Sequence, residues 1–264
     1  MAGEIGVVWP EGAAQDWRGI VRVTLRNPGR LNAMSRAMWR ELREVFEAIQ
    51  ARADARAVLI EGEGEAFCAG GDISEYPSFR FNPDSLRDFH EGDVWGGLSA
   101  MLECDVPIVA AIRGACMGAG VEIAACCDVR FAAESARFGA PIARLGFPMA
   151  PREAALVAQA VGDALARRML LEAATFGAEP LAAQGFLAAV VADGALDAHA
   201  WAGAERIVAL APQAARLNKR TLRACRQPGN GDGMQAAPDP YAYAAGAEHR
   251  EGIAAFLEKR APRF

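Results

Sequence analysis

The sequence predicts an α/β fold, and three observations lead to this prediction. Strand patterns and helix patterns alternate from Gly19 to Phe138, as they do in α/β proteins. From Pro151 onward the pattern is mainly helical, apart from a glycine- and proline-rich break at Gln227–Pro240. The chain has 264 residues, of which 52% are hydrophobic, so it is long enough for one large core with a small terminal appendage.

The first part of the chain predicts two strands around a helix. Gly19–Pro28 alternates apolar and polar residues and ends in Asn-Pro, which is typical of a strand closed by a turn. Ser35 can cap a helix, because its side-chain oxygen can accept a hydrogen bond from an unpaired N–H of the first turn. Apolar residues then recur at helical spacing, at Met38, Leu42, Val45 and Ile49. Ala57–Gly64 is an apolar run that ends in glycines, which predicts a buried strand.

The middle of the chain predicts further strands and helices after an irregular stretch. Pro77–Asp93 contains three phenylalanines and two prolines but no clear period, so we expect a long irregular segment of the kind that often binds ligands. Leu98–Leu102 closes a helix, and Pro107–Gly114 predicts a second buried strand. Asp128–Pro141 supplies another short strand. A helix is expected over Pro151–Ala173, since proline is tolerated in a first helical turn.

Composition and charge argue against several classes of protein. The net charge of −5 argues against a general nucleic-acid binder, although a local basic site for a phosphorylated ligand is compatible with it. No apolar stretch reaches the roughly 18 residues of a membrane span, and the N-terminus lacks a secretory signal, so we expect a cytoplasmic protein without a membrane partner. The six cysteines form no CxxC pair and the three histidines lie in no nucleophile motif, which predicts buried free thiols rather than a metal site or a triad.

Two glycine-rich turns have the same sequence context, since each follows a predicted buried strand. The first is Ala69–Asp72, with the sequence AGGD, and the second is Gly118–Gly120, which an apolar helix follows. Glycine lets the backbone approach a ligand closely, and a helix N-terminus leaves N–H groups unpaired. Two such turns facing each other would form an oxyanion hole, in which each donor contributes about 3–4 kcal/mol. The alternative is a pair of ordinary turns, which spacing alone favours.

Glu122 stands in an otherwise apolar stretch between Gly120 and Asp128. An isolated charge in such a stretch has a desolvation penalty of several kcal/mol unless it is paired. Active-site carboxyl groups avoid this penalty when their pKa rises towards neutrality. The alternative is a charge that stabilises the helix N-terminus by about 0.3–1 kcal/mol. Asp128 ends the predicted helix on the far side from the turn, so we expect it to be structural.

Four motifs occur in order along the chain: NPGRLNAMSRAM, GEAFCAGGDISEY, VPIVAAIRGACMGAGVEIAACCDVRFAAESARFGAP and EHREGIAAFLEKR. Together they resemble the crotonase superfamily, also called the enoyl-CoA hydratase/isomerase family, over Gly19–Phe264. The resemblance implies a spiral of ββα units over residues 1–200 and a C-terminal helical region over residues 201–264, which builds homotrimers that usually pair into hexamers. It also implies an acyl-CoA substrate whose thioester enolate is stabilised, with coenzyme A as part of the substrate and no other cofactor.

The resemblance also implies roles for particular residues. By motif position, the thioester oxygen would accept hydrogen bonds from the N–H groups of Gly71 and Ala119; alanine at this position keeps the donor if its φ is negative. Arg30 would face CoA phosphates, with a solvated surface arginine as the alternative. Phe256 and Lys259 would reach the CoA of a neighbouring subunit, although spacing alone favours a core position for Phe256. Further contacts with the acyl-CoA are expected at Ala33, Ala69, Gly70, Asp72, Ile73, Gly118 and Ile142.

The largest departure from the family pattern concerns the second carboxylate. Hydratases of this family hold a water molecule between two glutamates, one acting as base and the other as acid. Glu122 matches the first glutamate, but Ile142 occupies the position of the second and cannot carry a proton. Glu153 is the best replacement, and a charge that favours a helix N-terminus is the alternative for it. Arg144 and Arg152 are expected near the pocket, where either could pair with Glu153 or with a polar acyl group.

Several activities therefore stay open at the level of sequence. The leading prediction is an enzyme of the enoyl-CoA hydratase or isomerase type, in which Glu122 is the acid/base residue. The first alternative is another enolate reaction, such as decarboxylation or hydrolysis of a thioester or C–C bond. The second is a catalytically silent CoA-binding or scaffold protein. The break at Gln227–Pro240 is expected to help wall the acyl pocket.

Overall fold

Two β-sheets form the centre of the fold, and the structure, a computed structural model, describes residues 3–10, 19–225, 239 and 241–264. The strands are β1 Glu4–Val8, β2 Ile20–Arg26, β3 Ala57–Gly62, β4 Ile108–Ile112, β5 Ala115–Met117, β6 Val129–Ala133, β7 Arg137–Gly139, β8 Thr175–Phe176 and β9 Ala189–Val191. The larger sheet has the order β1-β2-β3-β4-β6-β9 and is parallel except for the antiparallel β1–β2 pair. The smaller sheet has the order β5-β7-β8.

Helices alternate with these strands, which confirms the predicted α/β class. They are α1 Arg36–Ala51, α2 Pro83–Arg87, α3 Trp95–Glu103, α4 Ala119–Cys126, α5 Pro151–Val161, α6 Asp163–Leu171, α7 Ala178–Ala183, α8 Leu196–Val208, α9 Pro212–Cys225 and α10 Ala247–Leu257. Every residue of β3 and β4 is buried, as expected for parallel strands that are covered on both faces.

The start of α1 follows the capping chemistry that the sequence predicts. The hydroxyl oxygen of Ser35 accepts a hydrogen bond from the N–H of Met38 at 3.2 Å, which satisfies one of the unpaired donors of the first turn. Met38, Leu42 and Ile49 are buried along one face of the helix. The predicted cap and the predicted buried face of this helix are therefore confirmed, with Val45 packed at the edge of that face.

The segment Pro77–Asp93 is helical rather than irregular, so that prediction is wrong. A 3₁₀ turn covers Ile73–Ser78, and α2 is followed directly by a π-helical turn over Asp88–Val94. The side chain of Asn82 accepts hydrogen bonds from two N–H groups of the first turn of α2, which begins with a proline. Three short turns with different periods follow one another, so no single helical period is visible in the sequence.

Two other element boundaries differ from the predictions. The helix expected over Pro151–Ala173 is two helices, α5 and α6, because Gly162 between them has a φ of 87° that does not belong to a right-handed helix. The segment Asp128–Pro141 contains two strands, β6 and β7, which belong to different sheets. The mainly helical C-terminal part also contributes strands β8 and β9.

Strand β3 shows how the larger sheet divides the apolar core. Val58 and Ile60 point into the larger cluster, which lies against α1 and α3 among other elements. Leu59 points into a smaller cluster on the other face, where α8 packs. Free cysteines are found in the larger cluster, and of the six in the chain only Cys225 is exposed.

Helix α9 is attached to the core by ion pairs. Lys219 contacts Asp128 at 2.7 Å, and Arg220 and Arg223 contact the buried carboxylate of Asp105 at 2.6 and 2.7 Å. Asp128 thus has a structural partner, in line with its expected role.

The remaining predictions for the C-terminal part have different outcomes. The division into a core over residues 1–200 and an oligomerisation region over residues 201–264 stays a prediction. The break at Gln227–Pro240 lies outside the described residues, apart from Asp239. Among the residues that the structure describes, none of the helices combines the length and the apolar content that crossing a bilayer requires.

Candidate active site

The two glycine-rich turns lie directly against each other. Cys68 donates its N–H to the carbonyl oxygen of Ala115 at 2.9 Å and accepts from the N–H of Met117 at 2.9 Å, so the two segments run side by side. Gly70 and Gly118 then have φ values of 121° and 47°, which favour glycine. A Cβ atom on Gly118 would lie 3.7 Å from the Cα atom of Gly70, so the turns are in contact.

Each turn presents a backbone N–H group without a partner. The loop around Gly71 is fixed on both sides, because Met34 donates to Gly70 and Asp72 donates to Met34, each at 2.8 Å. The N–H of Gly71 itself has no hydrogen-bond partner within the described ranges of the chain. The same holds for the N–H of Ala119, which opens α4 and therefore has no acceptor in the preceding turn. Ala119 is not among the residues with a positive φ, so it meets the condition set for a donor at this position.

Glu122 lies in the first turn of α4, directly behind the second glycine turn. Its N–H donates to the carbonyl oxygen of Gly118 at 3.1 Å, and its side chain is buried, with 8% of the residue exposed. Burial raises the pKa of Glu122 from 4.5 to about 8, and the negative charge of Glu153 adds to this effect. Glu122 is therefore protonated at neutral pH and can donate a proton.

Glu153 lies in the first turn of α5, and only 3% of the residue is exposed. Nδ1 of His90 lies 3.1 Å from Oε1 of Glu153. The structure thus pairs Glu153 with a histidine from the π-helical turn, and not with an arginine. Arg152 pairs with Glu91 at 3.1 Å, and Arg144 donates to a backbone carbonyl, so neither takes the alternative of pairing with Glu153. The other alternative, contact with a polar acyl group, stays a prediction.

His90 was not singled out by its sequence context. It lies in a segment without a visible period and is 63 positions away from Glu153. Its ring also packs edge-on against Phe89, at 5.0 Å between centroids. Only the tertiary fold brings the histidine and the carboxylate together, so no local motif could have indicated this pair.

Tyr76 is a second residue at the site that sequence reasoning missed. Its hydroxyl group occupies the space where a Cβ atom on Gly71 would be, at a distance that van der Waals contact does not allow. Burial raises the pKa of Tyr76, and the charge of Glu122 is among the smaller effects that act in the same direction. Any side chain at position 71 would therefore require Tyr76 or the turn to shift.

Ile142 belongs to the apolar wall of a cavity. The residue is half-buried in a 3₁₀ turn over Pro141–Leu145. It lines a cavity of about 410 Å³ together with Phe147, Met149 and other apolar residues. Ala154, which follows Glu153 in α5, also lines this cavity. The predicted family position of a second carboxylate is therefore an apolar wall, whereas a buried carboxylate is found at Glu153.

The residues expected to bind CoA fall into two groups. Arg30 contacts Asp72 at 2.7 Å and also donates to Ser74, while Ala69 donates to the carbonyl oxygen of Leu31 at 2.9 Å. This group, which also includes the buried Ala33 and the exposed Ile73, lies on loops around the first glycine turn. Its predicted contacts with CoA stay predictions.

The second group, Phe256 and Lys259, lies at the end of α10. Phe256 is 81% exposed, so the alternative of a core position is wrong for this residue. Lys259 follows the helix with a φ of 55°. Among the described residues, neither is joined to the glycine turns by a hydrogen bond or an ion pair. Their predicted contact with a neighbouring subunit's CoA is untested by this single chain.

Comparison with known proteins agrees with this architecture. The sequence model of the family described as enoyl-CoA hydratase/isomerase matches residues 15–264. A probable enoyl-CoA hydratase of Mycobacterium bovis is 32% identical over 243 residues, covering 92% of this chain and 93% of that protein. A probable enoyl-CoA hydratase of Rhodobacter capsulatus is 32% identical over 256 residues, covering 93% of this chain and 94% of that protein.

A solved structure extends the likeness to the fold. The crystal structure of an enoyl-CoA hydratase/carnithine racemase from Magnetospirillum magneticum matches with a TM-score of 0.90 at 35% identity, covering 98% of this chain and 94% of that one. The fold is that of the crotonase superfamily, and the chain belongs to the enoyl-CoA hydratase/isomerase family.

Proposed function

We propose that this chain is an enzyme that binds acyl-CoA thioesters and stabilises their enolate anions. The observation that carries the proposal is the pair of facing turns: within the described ranges the N–H groups of Gly71 and Ala119 have no partner, and the buried Glu122 follows in the first turn of the helix that Ala119 opens. A thioester oxygen that accepts from both groups would gain negative charge in the transition state. Each such donor contributes about 3–4 kcal/mol to transition-state stabilisation.

The reaction that the carboxyl groups support best is hydration of a 2-enoyl-CoA. Glu153 acts as the base that takes a proton from water, and the water oxygen forms a bond to C3. The electron pair of the C2–C3 double bond moves to the thioester, where the two N–H groups stabilise the enolate. Glu122, which is protonated at neutral pH, then donates its proton to C2. The product is a 3-hydroxyacyl-CoA, and the proton from water restores Glu122 by transfer between the two carboxyl groups.

A second activity, isomerisation of the double bond, is favoured by Ile142. Because Ile142 supplies no carboxyl group, Glu122 alone, in its ionised form, would take a proton from C2 or C4 of the acyl chain and return it at the other carbon, with no water in the reaction. This activity needs the enolate site and one carboxyl group. Hydration needs Glu153 as well, so the two activities make different demands on the same residues.

The test follows the absorbance of the conjugated thioester with a panel of 2-enoyl- and 3-enoyl-CoA substrates. We expect the variants Glu122→Gln and Glu153→Gln each to lower kcat for hydration by at least about a hundredfold, the scale of general acid–base catalysis. Glu179→Gln is the matched control, because Glu179 also lies in the first turn of a helix but is exposed. Full activity of Glu122→Gln would show that its assigned role is wrong. If Glu122→Gln loses activity while Glu153→Gln keeps it, isomerisation would be favoured.

A further inference from the structure

Arg80 is a cation that lies over two aromatic rings, and among the described residues it has no carboxylate partner. Its guanidinium carbon lies 3.7 Å from the ring centroid of Phe147 and 4.5 Å from that of Tyr76. The residue is half-buried, and no side-chain hydrogen bond or ion pair is formed by Arg80 within the part of the chain that the structure describes. By contrast, Arg36 also stacks on aromatic rings but reaches Asp93 at 2.6 Å.

Arg80 is partly removed from water, and no acidic side chain among the described residues compensates its charge. Arginine and lysine are rarely buried unless they are paired, because removing the charge from water is unfavourable. Burial lowers the pKa of Arg80, and the only charge effect that opposes it comes from the Tyr76 phenol. The rings contribute attraction through their π faces, but no acceptor among the described residues occupies the planar N–H donors of the guanidinium group, which are free to bind a ligand in place of water.

The location of Arg80 relates it to the proposed site. Tyr76 lies between the first glycine turn and Arg80, since its hydroxyl group lies against Gly71 while its ring lies under the guanidinium group. Phe147, the other ring under Arg80, lines the apolar cavity that also contains Ile142. Arg80 therefore lies about one tyrosine side chain away from the turn that carries one proposed oxyanion donor, on the side of the apolar cavity.

We propose that Arg80 binds a carboxylate at the far end of a short acyl chain, so that the preferred substrates are ω-carboxyacyl-CoA thioesters. This assignment rests on the proposed function, which places the thioester at Gly71. The methylene groups of such a chain suit the apolar cavity wall. The terminal carboxylate suits the guanidinium group, which can hold both oxygens through parallel hydrogen bonds.

The test compares binding of two saturated thioesters, adipyl-CoA and hexanoyl-CoA, by titration calorimetry. Both carry the same coenzyme A and the same number of acyl carbons, so the difference reports the terminal carboxylate. We expect the wild-type protein to bind adipyl-CoA about tenfold or more tightly than hexanoyl-CoA, as a charge-assisted hydrogen bond implies. Arg80→Met, which keeps apolar contact with the rings, should abolish this preference and leave hexanoyl-CoA binding within about twofold of wild type.

Two further variants keep the result interpretable. Arg80→Lys retains the charge and should keep part of the preference for adipyl-CoA. This variant still tests the proposal if Arg80→Met does not fold. Arg87→Met removes a nearby exposed arginine of α2 and should keep the full preference. Equal binding of the two thioesters by the wild-type protein would overturn the proposal. Equal weakening of both by Arg80→Met would also overturn it, since Arg80 would then only support the two rings.

Turnover measurements distinguish a failure of the role of Arg80 from a failure of the proposed function. Turnover is measured separately with 2,3-dehydroadipyl-CoA and trans-2-hexenoyl-CoA, which are the unsaturated counterparts of the two probes. Turnover of trans-2-hexenoyl-CoA without any preference for a carboxylate would support the enzyme and overturn the role of Arg80. A carboxylate preference in binding without turnover of either substrate would overturn the proposed hydration and support the role of Arg80.

Discussion

The side chains of Glu122 and Glu153 are both buried, and the negative charge of Glu153 helps to raise the pKa of Glu122. Burial is the larger cause, and the two effects together bring this pKa to about 8. Each residue lies in the first turn of a helix, where an exposed glutamate would remain ionised and interact with the helix dipole. Glu122 is instead buried, and its raised pKa lets it keep a proton that it can donate.

The first prediction concerns the pH dependence of stability. In the unfolded state Glu122 loses its proton near pH 4.5, whereas in the folded state it keeps the proton up to about pH 8. The contribution of Glu122 to the stability of the wild-type protein therefore falls as the pH rises through this window. Glu122→Gln cannot titrate, and we expect its stability relative to wild type to increase by up to about 1.4 kcal/mol per pH unit. Urea unfolding at several pH values across the window measures the difference. A constant difference across the window would contradict the raised pKa.

The second prediction concerns His90 as a positioning residue for Glu153. The 3.1 Å contact fixes the carboxylate that is proposed as base, so we expect His90→Phe to lower kcat about 10- to 100-fold with little change in KM. His90→Gln keeps a side-chain donor and should recover part of kcat. His249→Phe is the control, because that histidine is exposed. A matching loss of kcat in both His90 variants, or an effect on KM alone, would argue against positioning.

The third prediction concerns the packing of Tyr76 against Gly71. Gly71→Ala places a methyl group where the Tyr76 hydroxyl lies, so either the ring or the donor N–H must move. We expect at least a tenfold loss of kcat/KM, since a displaced oxyanion donor alone costs about 100- to 1,000-fold. Adding Tyr76→Phe removes the hydroxyl and should restore part of the activity. Gly194→Ala, at a glycine with open space around it, should be nearly neutral. No recovery in the double variant would show that Tyr76 is not the obstacle.

The parts of the structure that depend on neighbouring residues in the chain were predictable from the sequence. The Ser35 cap, the buried strand β3 and the two glycine turns each follow from the chemistry of a few consecutive residues. The π-helical turn was not predictable, because its wider period hides the pattern of buried residues around His90. Its contact with Glu153 depends on how α5 packs, which no local pattern specifies.

The fourth prediction concerns assembly, for which we propose a homotrimer or a dimer of trimers. Helix α10 exposes three large apolar side chains: Ile253 at 53%, Phe256 at 81% and Leu257 at 74%. Exposed apolar clusters of this kind are typical of interaction surfaces. We expect the wild-type protein to sediment as a trimer or hexamer and Phe256→Asp to sediment as a smaller species. A monomeric wild-type protein would contradict the proposal.

The last prediction tests whether Glu153 replaces the carboxylate that the family pattern places at Ile142. If it does, the two positions should be interchangeable as sources of the base. We therefore expect Glu153→Gln to lose hydration and the double variant Glu153→Gln/Ile142→Glu to raise it at least about tenfold again, because the chain again has a carboxyl group at the position that the family pattern gives to the second glutamate. Ile142→Gln in the same background is the control, since it adds a polar side chain of the same length without a titratable group.

The single variant Ile142→Glu should not exceed wild-type activity. It adds a third carboxyl group to a site where the charge of Glu153 already raises the pKa of Glu122, so like-charge repulsion would favour an additional proton. The free energy of unfolding of Ile142→Glu should fall more at high pH than at low pH, because the added carboxyl group must be ionised in the folded state at high pH. Equal recovery with Ile142→Gln and Ile142→Glu would show that polarity alone restores turnover, and Glu153 would then not be the base.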